Sequence, residues 1–221
     1  MHIAFHCNPA QPHQREHAEW LSAGCQRHGL SLSVTPDRHV AADIHIVSGP
    51  HYAKSVWLDH PAVLWLDRAY YHEEKSGRWK SMDWVSLGWL RADGARVFES
   101  GAGRAPPSVE DRPENGGTIF LADYGGPVET ADTVRRHPAD EPPREGLREA
   151  LRRHRIAIGY QTTALVAAAL AGLEIICKDP RNILWQPNWL ELLPYADWHW
   201  TEIESGSAWG HLMQHFGNKK G

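Results

Sequence analysis

Residues 155–180 read RIAIGYQTTALVAAALAGLEIICKDP, and this stretch decides the fold class. A short apolar run, RIAIGY, precedes an alanine-rich segment with helical spacing, and a second apolar run, EIICKD, follows it. Short apolar runs separated by a helical segment are typical of parallel strands joined by a crossover helix. We therefore expect an α/β fold whose ligands bind where strands end, beside the start of the next helix.

The same alternation extends toward both ends of the chain. The runs HIAFHC, LSLSV, ADIHIVSGP and AVLWLD predict four strands in the first half, and TIFLADYGG predicts a strand in the second. Helices are predicted over residues 14–30, 144–154, 188–200 and 201–216, and a hairpin turn over residues 91–97. The last helix opens on TEIE, which matches the capping-box pattern.

A change of composition predicts the domain boundary. Residues 101–117 read GAGRAPPSVEDRPENGG, a Gly-, Pro- and charge-rich stretch without periodicity, which is typical of a linker or a surface loop. The prediction is a compact α/β protein with an N-terminal Rossmann-like lobe over residues 1–110 and a C-terminal lobe over residues 111–221. Each lobe is expected to carry a parallel sheet, with a cleft between the two, and the C-terminal helices return across the chain.

Composition excludes several classes of protein. The formal net charge of −4 over 221 residues gives no overall basic field for non-specific nucleic-acid binding. Three widely spaced Cys residues predict a reducing compartment. The N-terminus does not match a signal peptide and no apolar run is long enough for a membrane span, so we expect a cytoplasmic protein without membrane contact.

Cofactor motifs give no match. A Walker phosphate loop, a GxGxxG fingerprint and a nucleophile elbow are absent from the sequence, which argues against kinase, dehydrogenase and hydrolase chemistry. The 15 His residues have no Cys partners in metal-ligand spacing, and we predict neither a metal nor a resident cofactor.

Polar groups follow three consecutive predicted strands of the second lobe and form the candidate ligand site. Hydroxyls at a helix N-terminus suit a phosphate, guanidinium and imidazole groups suit a diphosphate or a nucleoside, and a carboxylate suits ribose hydroxyls. The alternatives are an ordinary helix cap, an exposed basic loop and a turn residue before proline. The residues are Thr162 and Thr163; Arg135, Arg136 and His137; and Asp179.

Residues 135–180 resemble the donor-binding half of GT-B glycosyltransferases, especially the bacterial capsule and sialyl-type transferases. In that family a His-Pro motif is followed by a Ser/Thr pair, a helix and a strand, which His137-Pro138, Thr162-Thr163 and EIIC match. Residues 1–30 similarly resemble the acceptor lobe of the family, and such proteins also occur in phage genomes. The resemblance implies that His137 contacts the donor nucleotide and that the Thr pair contacts its phosphate.

The resemblance implies a metal-independent transferase that moves a hexose or similar sugar from a nucleotide-sugar to a hydroxyl acceptor. The acceptor is left open between a glycan, a small molecule and a hydroxymethylated base of phage DNA. A general base is expected at a strand end of the first lobe, where Asp67 and His13 are the candidates. The residues expected to line the acceptor site are Arg68, Tyr70, Tyr71, His72 and His51.

Two other functions compete with this one: a nucleotide-sugar epimerase of the same fold, and a non-catalytic nucleotide-binding or interaction protein of reduced GT-B fold. Four C-terminal Trp residues are interpreted as core or lobe-bridging contacts, with a homodimer interface as the alternative. They are Trp189, Trp198, Trp200 and Trp209.

Overall fold

The chain folds into two compact units. A computed structural model describes residues 1–37, 39–48, 57, 60, 62–72, 76–78, 82–111 and 116–216, the side chain of residue 215 excepted. The first unit comprises Met1–Arg104 and Tyr195–Gly221, and the second comprises Ala105–Pro194. The boundary thus falls near the predicted linker, but the C-terminal segment belongs to the first unit, whereas the sequence predicts it in the second.

The first unit is built on a seven-stranded sheet that is mostly parallel. Its strands are β1 (His2–His6), β2 (Ser31–Thr35), β3 (Ile44–Ser48), β4 (Val63–Arg68), β5 (Trp84–Leu90), β6 (Arg96–Val97) and β11 (Asp197–His199). Strands β1 to β4 are parallel in the order β4-β3-β1-β2, while β5 is antiparallel to β4 and β11 is antiparallel to β5. Strand β6 pairs with β5, which confirms the predicted hairpin.

Among the described residues of the first unit, helices of the N-terminal and C-terminal segments supply core side chains. They are α1 (Pro12–Arg27), α5 (Trp200–Glu204) and α6 (Ser207–Phe216). Trp20 of α1, Ile203 of α5 and Trp209 of α6 are fully buried in one core cluster with residues of β1, β3 and β4. Gly24 of α1 is also buried, and a Cβ there would lie 2.7 Å from Cδ1 of Trp209 and within contact distance of the Ile203 carbonyl oxygen. Close packing of α1 on α5 and α6 therefore depends on this glycine.

The predicted helices at the C-terminus are interrupted. Residues 188–200 form α4 (Trp189–Ala196) followed by β11, and residues 201–216 form α5 and α6, separated at Gly206 with φ +86°. The capping box is present two residues earlier than predicted, because His199 is the N-cap and Glu202 bonds back to its amide at 2.9 Å. Glycine ends α5 here since its backbone enters the left-handed region without strain.

The second unit is built on a four-stranded, fully parallel sheet in the order β10-β9-β7-β8. The strands are β7 (Gly117–Leu121), β8 (Thr133–Arg135), β9 (His154–Gly159) and β10 (Glu174–Cys177). Helices α2 (Leu147–Leu151) and α3 (Ala164–Leu170) bury Leu151, Leu165 and Ala168 against the sheet, and a 3-10 turn (Ile183–Trp185) follows β10. The expected strand-helix-strand unit of residues 155–180 is thereby confirmed.

The α/β class, with one mostly parallel sheet and a second parallel sheet, is confirmed by this architecture. None of the helices in the described ranges has the length and apolar character needed to cross a bilayer.

Candidate functional site

The candidate site lies at the edge of the second sheet where β7, β9 and β10 end. Strand order reverses between β7 and β9, and ligands of open α/β sheets usually bind at the carboxyl ends of the strands beside such a reversal. Gln161 lies just beyond β9. Its backbone amide donates to the carboxylate of Asp123 at 3.0 Å, and its side-chain Nε2 atom donates to the carboxylate of Asp179 at 2.8 Å. We call Asp123, Gln161 and Asp179 the Gln161 cluster.

The two carboxylates of the Gln161 cluster have opposite electrostatic environments. Hydrogen bonds from Arg181 lower the pKa of Asp179 to about 2, and the Arg181 Nη2 atom lies 2.6 Å from its Oδ2 atom. Burial raises the pKa of Asp123, and the negative charge of Asp179 raises it further. Asp179 is therefore a stable anion, whereas Asp123 is a weaker acid suited to hydrogen bonding with ligand hydroxyls.

His137 lies in the turn that follows β8. Its Nδ1 atom accepts from the Ala139 amide at 3.2 Å, so the neutral ring carries its hydrogen on Nε2 and can donate from there. The ring packs edge-on against Tyr124, with 5.5 Å between centroids. Its positive form lowers the pKa of Asp123, which places the imidazole within electrostatic reach of the Gln161 cluster.

The two arginines before His137 engage their own loop. The Arg135 guanidinium donates to the Glu145 carbonyl at 3.1 Å, and Nε of Arg136 lies 3.5 Å from the Glu141 carboxylate. The contact of Arg136 is exposed, so it contributes little to stability. To bind a diphosphate, each of these two arginines would have to break its contact with Glu145 or Glu141 or keep it while also contacting the phosphate.

The Thr pair begins α3, as the sequence predicts. The Thr162 hydroxyl accepts from the Ala164 amide at 3.3 Å, and the Leu165 and Val166 amides bond to the carbonyls of Thr162 and Thr163 at 3.1 and 3.0 Å. The first helical amides are thus satisfied within the chain. A phosphate at this end of α3 would meet the threonine hydroxyls first.

Sequence reasoning missed several polar residues at this edge of the sheet. Asp123 follows a buried strand in the same way as Asp67, which was the available signal. The Tyr160 hydroxyl and the Lys178 ammonium group both donate to Glu129, a long-range contact that no local pattern predicts. Together with the Gln161 cluster, these groups give the site its hydrogen-bonding capacity.

In the first unit, Asp67 lies near the end of β4, as predicted. One carboxylate oxygen accepts from the Arg68 amide at 2.8 Å, and the other lies 4.0 Å from the Arg96 guanidinium. Arg68 is exposed on the neighbouring position, and His13 is exposed in the first turn of α1. Asp67 is therefore a half-buried carboxylate beside a positive charge, and His13 is a solvent-facing imidazole.

The predicted acceptor residues divide between core and surface. Tyr70 is 5% exposed and its ring lies under Arg96, 4.8 Å from the guanidinium carbon, so this ring belongs to the core. Tyr71 and His72 are half-buried, and the His72 ring stacks on Trp84 with 3.6 Å between centroids. His51 lies outside the described residues.

A buried carboxylate that the sequence did not single out holds this loop. Asp197 of β11 is 0% exposed and accepts from the amides of Tyr70 at 2.8 and 2.9 Å, Tyr71 at 3.1 Å and His72 at 3.4 Å. Burial raises the pKa of Asp197 to about 6, although the amide hydrogen bonds act in the opposite direction. Asp197 thus fixes the backbone of the loop that follows β4.

His17, one turn after His13, predicts a loss of stability in acid. It is 7% exposed, neither ring nitrogen has a hydrogen-bond partner among the described residues, and burial lowers its pKa to about 4. In the unfolded chain His17 takes up a proton near its ordinary pKa, whereas in the folded protein it does so only near pH 4. The free energy of unfolding therefore keeps its full value above the ordinary pKa of histidine and decreases as pH falls from there toward about 4. We expect His17→Leu to remove about 3 kcal/mol of this acid-induced loss, measured by urea unfolding across that pH range.

The matched control is His39→Leu, which removes an exposed imidazole of the same unit, whereas His13 contacts the His17 ring and contributes to its low pKa. This control should keep the wild-type slope of unfolding free energy against pH. Equal slopes in the wild type and in His17→Leu would contradict the assignment of this effect to His17.

Among the residues that the structure describes, no group of three or more His, Cys, Asp or Glu side chains is arranged to hold a metal ion. No protein-family model matches the chain, and no curated protein matches it.

Proposed function

We propose that this protein is a metal-independent glycosyltransferase of GT-B type. In this proposal the second unit binds a nucleotide-sugar donor, and the first unit carries the acceptor and the general base. The acceptor class stays open between a glycan, a small molecule and a modified base of DNA. The two-sheet α/β architecture is compatible with this assignment.

The observation that carries the proposal is the convergence of polar groups at the strand-order reversal of the second sheet. Gln161 joins two carboxylates there, and His137 lies within electrostatic reach of one of them. Carboxylates with different pKa values, an amide and an imidazole donor are suited to the hydroxyls and the base of a nucleoside. The carboxyl ends of the strands beside such a reversal are the usual ligand sites of open α/β sheets.

The proposed roles follow from the chemistry of each group. The hydroxyls of Thr162 and Thr163 would bind donor phosphate, and His137 would stabilise the leaving diphosphate by donating from Nε2. Asp67 would accept the proton of the acceptor hydroxyl as the sugar is transferred, and His13 is the alternative base. Without metal, the developing charge of the leaving group would be balanced by these donors.

Thermal unfolding with a panel of nucleotides and nucleotide-sugars tests the donor site. A ligand present at about a hundred times its dissociation constant should add about 3 kcal/mol of stability. We expect one base to be preferred and the stabilisation to be lost in both His137→Ala and Thr162→Ala. His39→Ala, an exposed histidine of the first unit, is the matched control and should retain it.

Turnover separates the candidate activities once the preferred nucleotide is known. Transfer of labelled sugar to a hydroxyl acceptor, lost in Asp67→Asn, would support the transferase. Conversion of the sugar without an acceptor would instead support an epimerase. If no nucleotide stabilises the protein, the transferase proposal fails.

One observation favours a second candidate, a non-catalytic nucleotide-binding protein. Asp179 is bonded to Arg181, and the first backbone amides of α3 are bonded within the chain. These amides are therefore not available to stabilise the charge of a leaving phosphate, although a nucleotide could still bind. Stabilisation by a nucleotide without turnover of any nucleotide-sugar would select this function.

A further inference from the structure

A groove of about 480 Å³ lies on the α3 side of the edge strand β10. The side chains that line it are apolar or aromatic, and polar atoms also contribute to its exposed surface: Ala169, Leu173, Ile175, Cys177, Leu184, Trp185 and Trp189. All of them belong to the second unit. The volume falls in the range of small-molecule sites and is too small for a protein helix with its side chains.

The aromatic wall of the groove is held in place although it is exposed. Trp185 is 55% exposed, and its indole nitrogen donates to the Cys177 carbonyl at 3.2 Å. Asn182, 4% exposed, fixes the turn that carries Trp185, because its side chain donates to the Tyr160 carbonyl at 2.9 Å and accepts from the Leu184 amide at 3.1 Å. A rigid indole whose polar group is already bonded offers a ligand its ring face.

The groove adjoins the Gln161 cluster through Cys177, which lines the groove and contacts the backbone next to the cluster. The Cys177 thiol lies 3.4 Å from the Tyr160 carbonyl and 3.4 Å from the Asp179 carbonyl, and Tyr160 directly precedes Gln161. Two residues after Cys177, the carboxylate of Asp179 accepts hydrogen bonds from Gln161 and Arg181. A ligand in the groove therefore has an apolar, aromatic environment at one end and hydrogen-bonding groups at the other.

We propose that this groove binds the base of a nucleoside, stacked on Trp185, with its ribose at the Gln161 cluster. A nucleobase is flat, uncharged and joined to a polyhydroxylated ring, which matches both ends of the groove. Stacking of a base on an aromatic side chain contributes about 1–3 kcal/mol. This inference deepens the proposed function, since it identifies the part of the site that would select the nucleoside.

Alkylation of Cys177 tests occupancy of the groove without any assay of catalysis. Burial raises the pKa of all three thiols, to about 11 for Cys7 and about 12 for Cys25, but Cys7 and Cys25 are 0% exposed whereas Cys177 is half-buried. Iodoacetamide should therefore react first at Cys177, as peptide mass analysis can show. We expect uridine, cytidine, guanosine or thymidine to slow this reaction by about tenfold at ten times the dissociation constant.

Two variants locate the effect. Trp185→Ala should abolish protection by the nucleoside, and its exposure makes it a tolerated substitution. Ile176→Ala is the matched control, because this exposed side chain neighbours Cys177 on β10 but does not line the groove. It should retain protection.

Three results would overturn the inference. They are absence of protection by all four nucleosides, equal protection by a saturated ring compound of similar size, and protection without ligand that increases with protein concentration. The third would indicate that a second copy of the chain covers the groove. Stabilisation by nucleotide-sugars that depends on His137 but leaves Cys177 reactive would preserve the proposed function alone, while nucleoside protection without sugar transfer would preserve this inference alone.

Discussion

Gly24→Ala should destabilise the first unit by about 3 kcal/mol or more, or prevent it from folding. The added methyl group would overlap the Ile203 carbonyl oxygen, which belongs to the backbone of α5 and cannot rotate away. It would also lie 2.7 Å from the buried Trp209 ring. Relief requires α1 to move away from α5 and α6, which opens the core cluster that these helices share. Urea unfolding followed by tryptophan fluorescence measures the loss, because all Trp residues except Trp185 and Trp189 belong to the first unit.

Gly210→Ala is the matched control for this substitution. Gly210 lies inside α6, and a Cβ there would meet nothing closer than His28 Cε1 at 3.8 Å. Alanine in a helix interior is favoured over glycine by about 0.8–1.0 kcal/mol, so this variant should be more stable than the wild type. A Gly24→Ala protein that unfolds at the wild-type urea concentration would disprove the packing of α1 described above.

Asp197→Ala should cost about 3–5 kcal/mol of the free energy of unfolding. The substitution leaves the buried Tyr70 amide and the neighbouring amides of Tyr71 and His72 without their acceptor. Water cannot easily replace the carboxylate, since Asp197 is 0% exposed. The loop after β4 should lose its fixed backbone, and hydrogen exchange at these three amides should become faster.

Asp197→Asn removes the negative charge but keeps the shape of the side chain, so it separates the effect of the charge on stability from the effect of the lost hydrogen-bond acceptor. The amide retains one acceptor oxygen, so we expect a smaller loss at neutral pH. Because the folded-state pKa of Asp197 is raised to about 6, ionisation of the wild-type carboxyl opposes folding as pH rises from its ordinary pKa through that value. The asparagine variant should lack this component of the pH dependence. Equal stability of Asp197→Ala and the wild type would refute the role of this carboxylate.

The strands of both units could be predicted from sequence because each is a local apolar run bounded by turn residues. RIAIGY and EIICKD became neighbouring parallel strands, and Asp179 and the Thr pair lie beside strand ends as expected. Strand β11 could not be predicted, since it has only three residues and its pairing partner, residues 84–86 of β5, is more than a hundred residues away. The same distance hid Asp197, whose role depends on that pairing.

The candidate site was predictable where a side chain acts next to its own strand end. Asp67, His137 and Asp179 belong to this class. Gln161 does not, because its importance comes from joining two carboxylates that follow different strands. The burial of Tyr70 was likewise hidden, since its environment is created by Arg96 and Phe98 from a later hairpin.

The return of the chain to the first unit at Tyr195 has a consequence for synthesis on the ribosome. The second unit is continuous in sequence, whereas the first is completed only by residues that are translated after the second unit. Until those residues emerge, β5 lacks its pairing with β11, and Trp20 lacks α5 and α6, which share its core cluster. The nascent chain therefore presents an incomplete N-terminal sheet while the second unit is synthesised, and unpaired strand edges and exposed apolar surface of this kind favour aggregation.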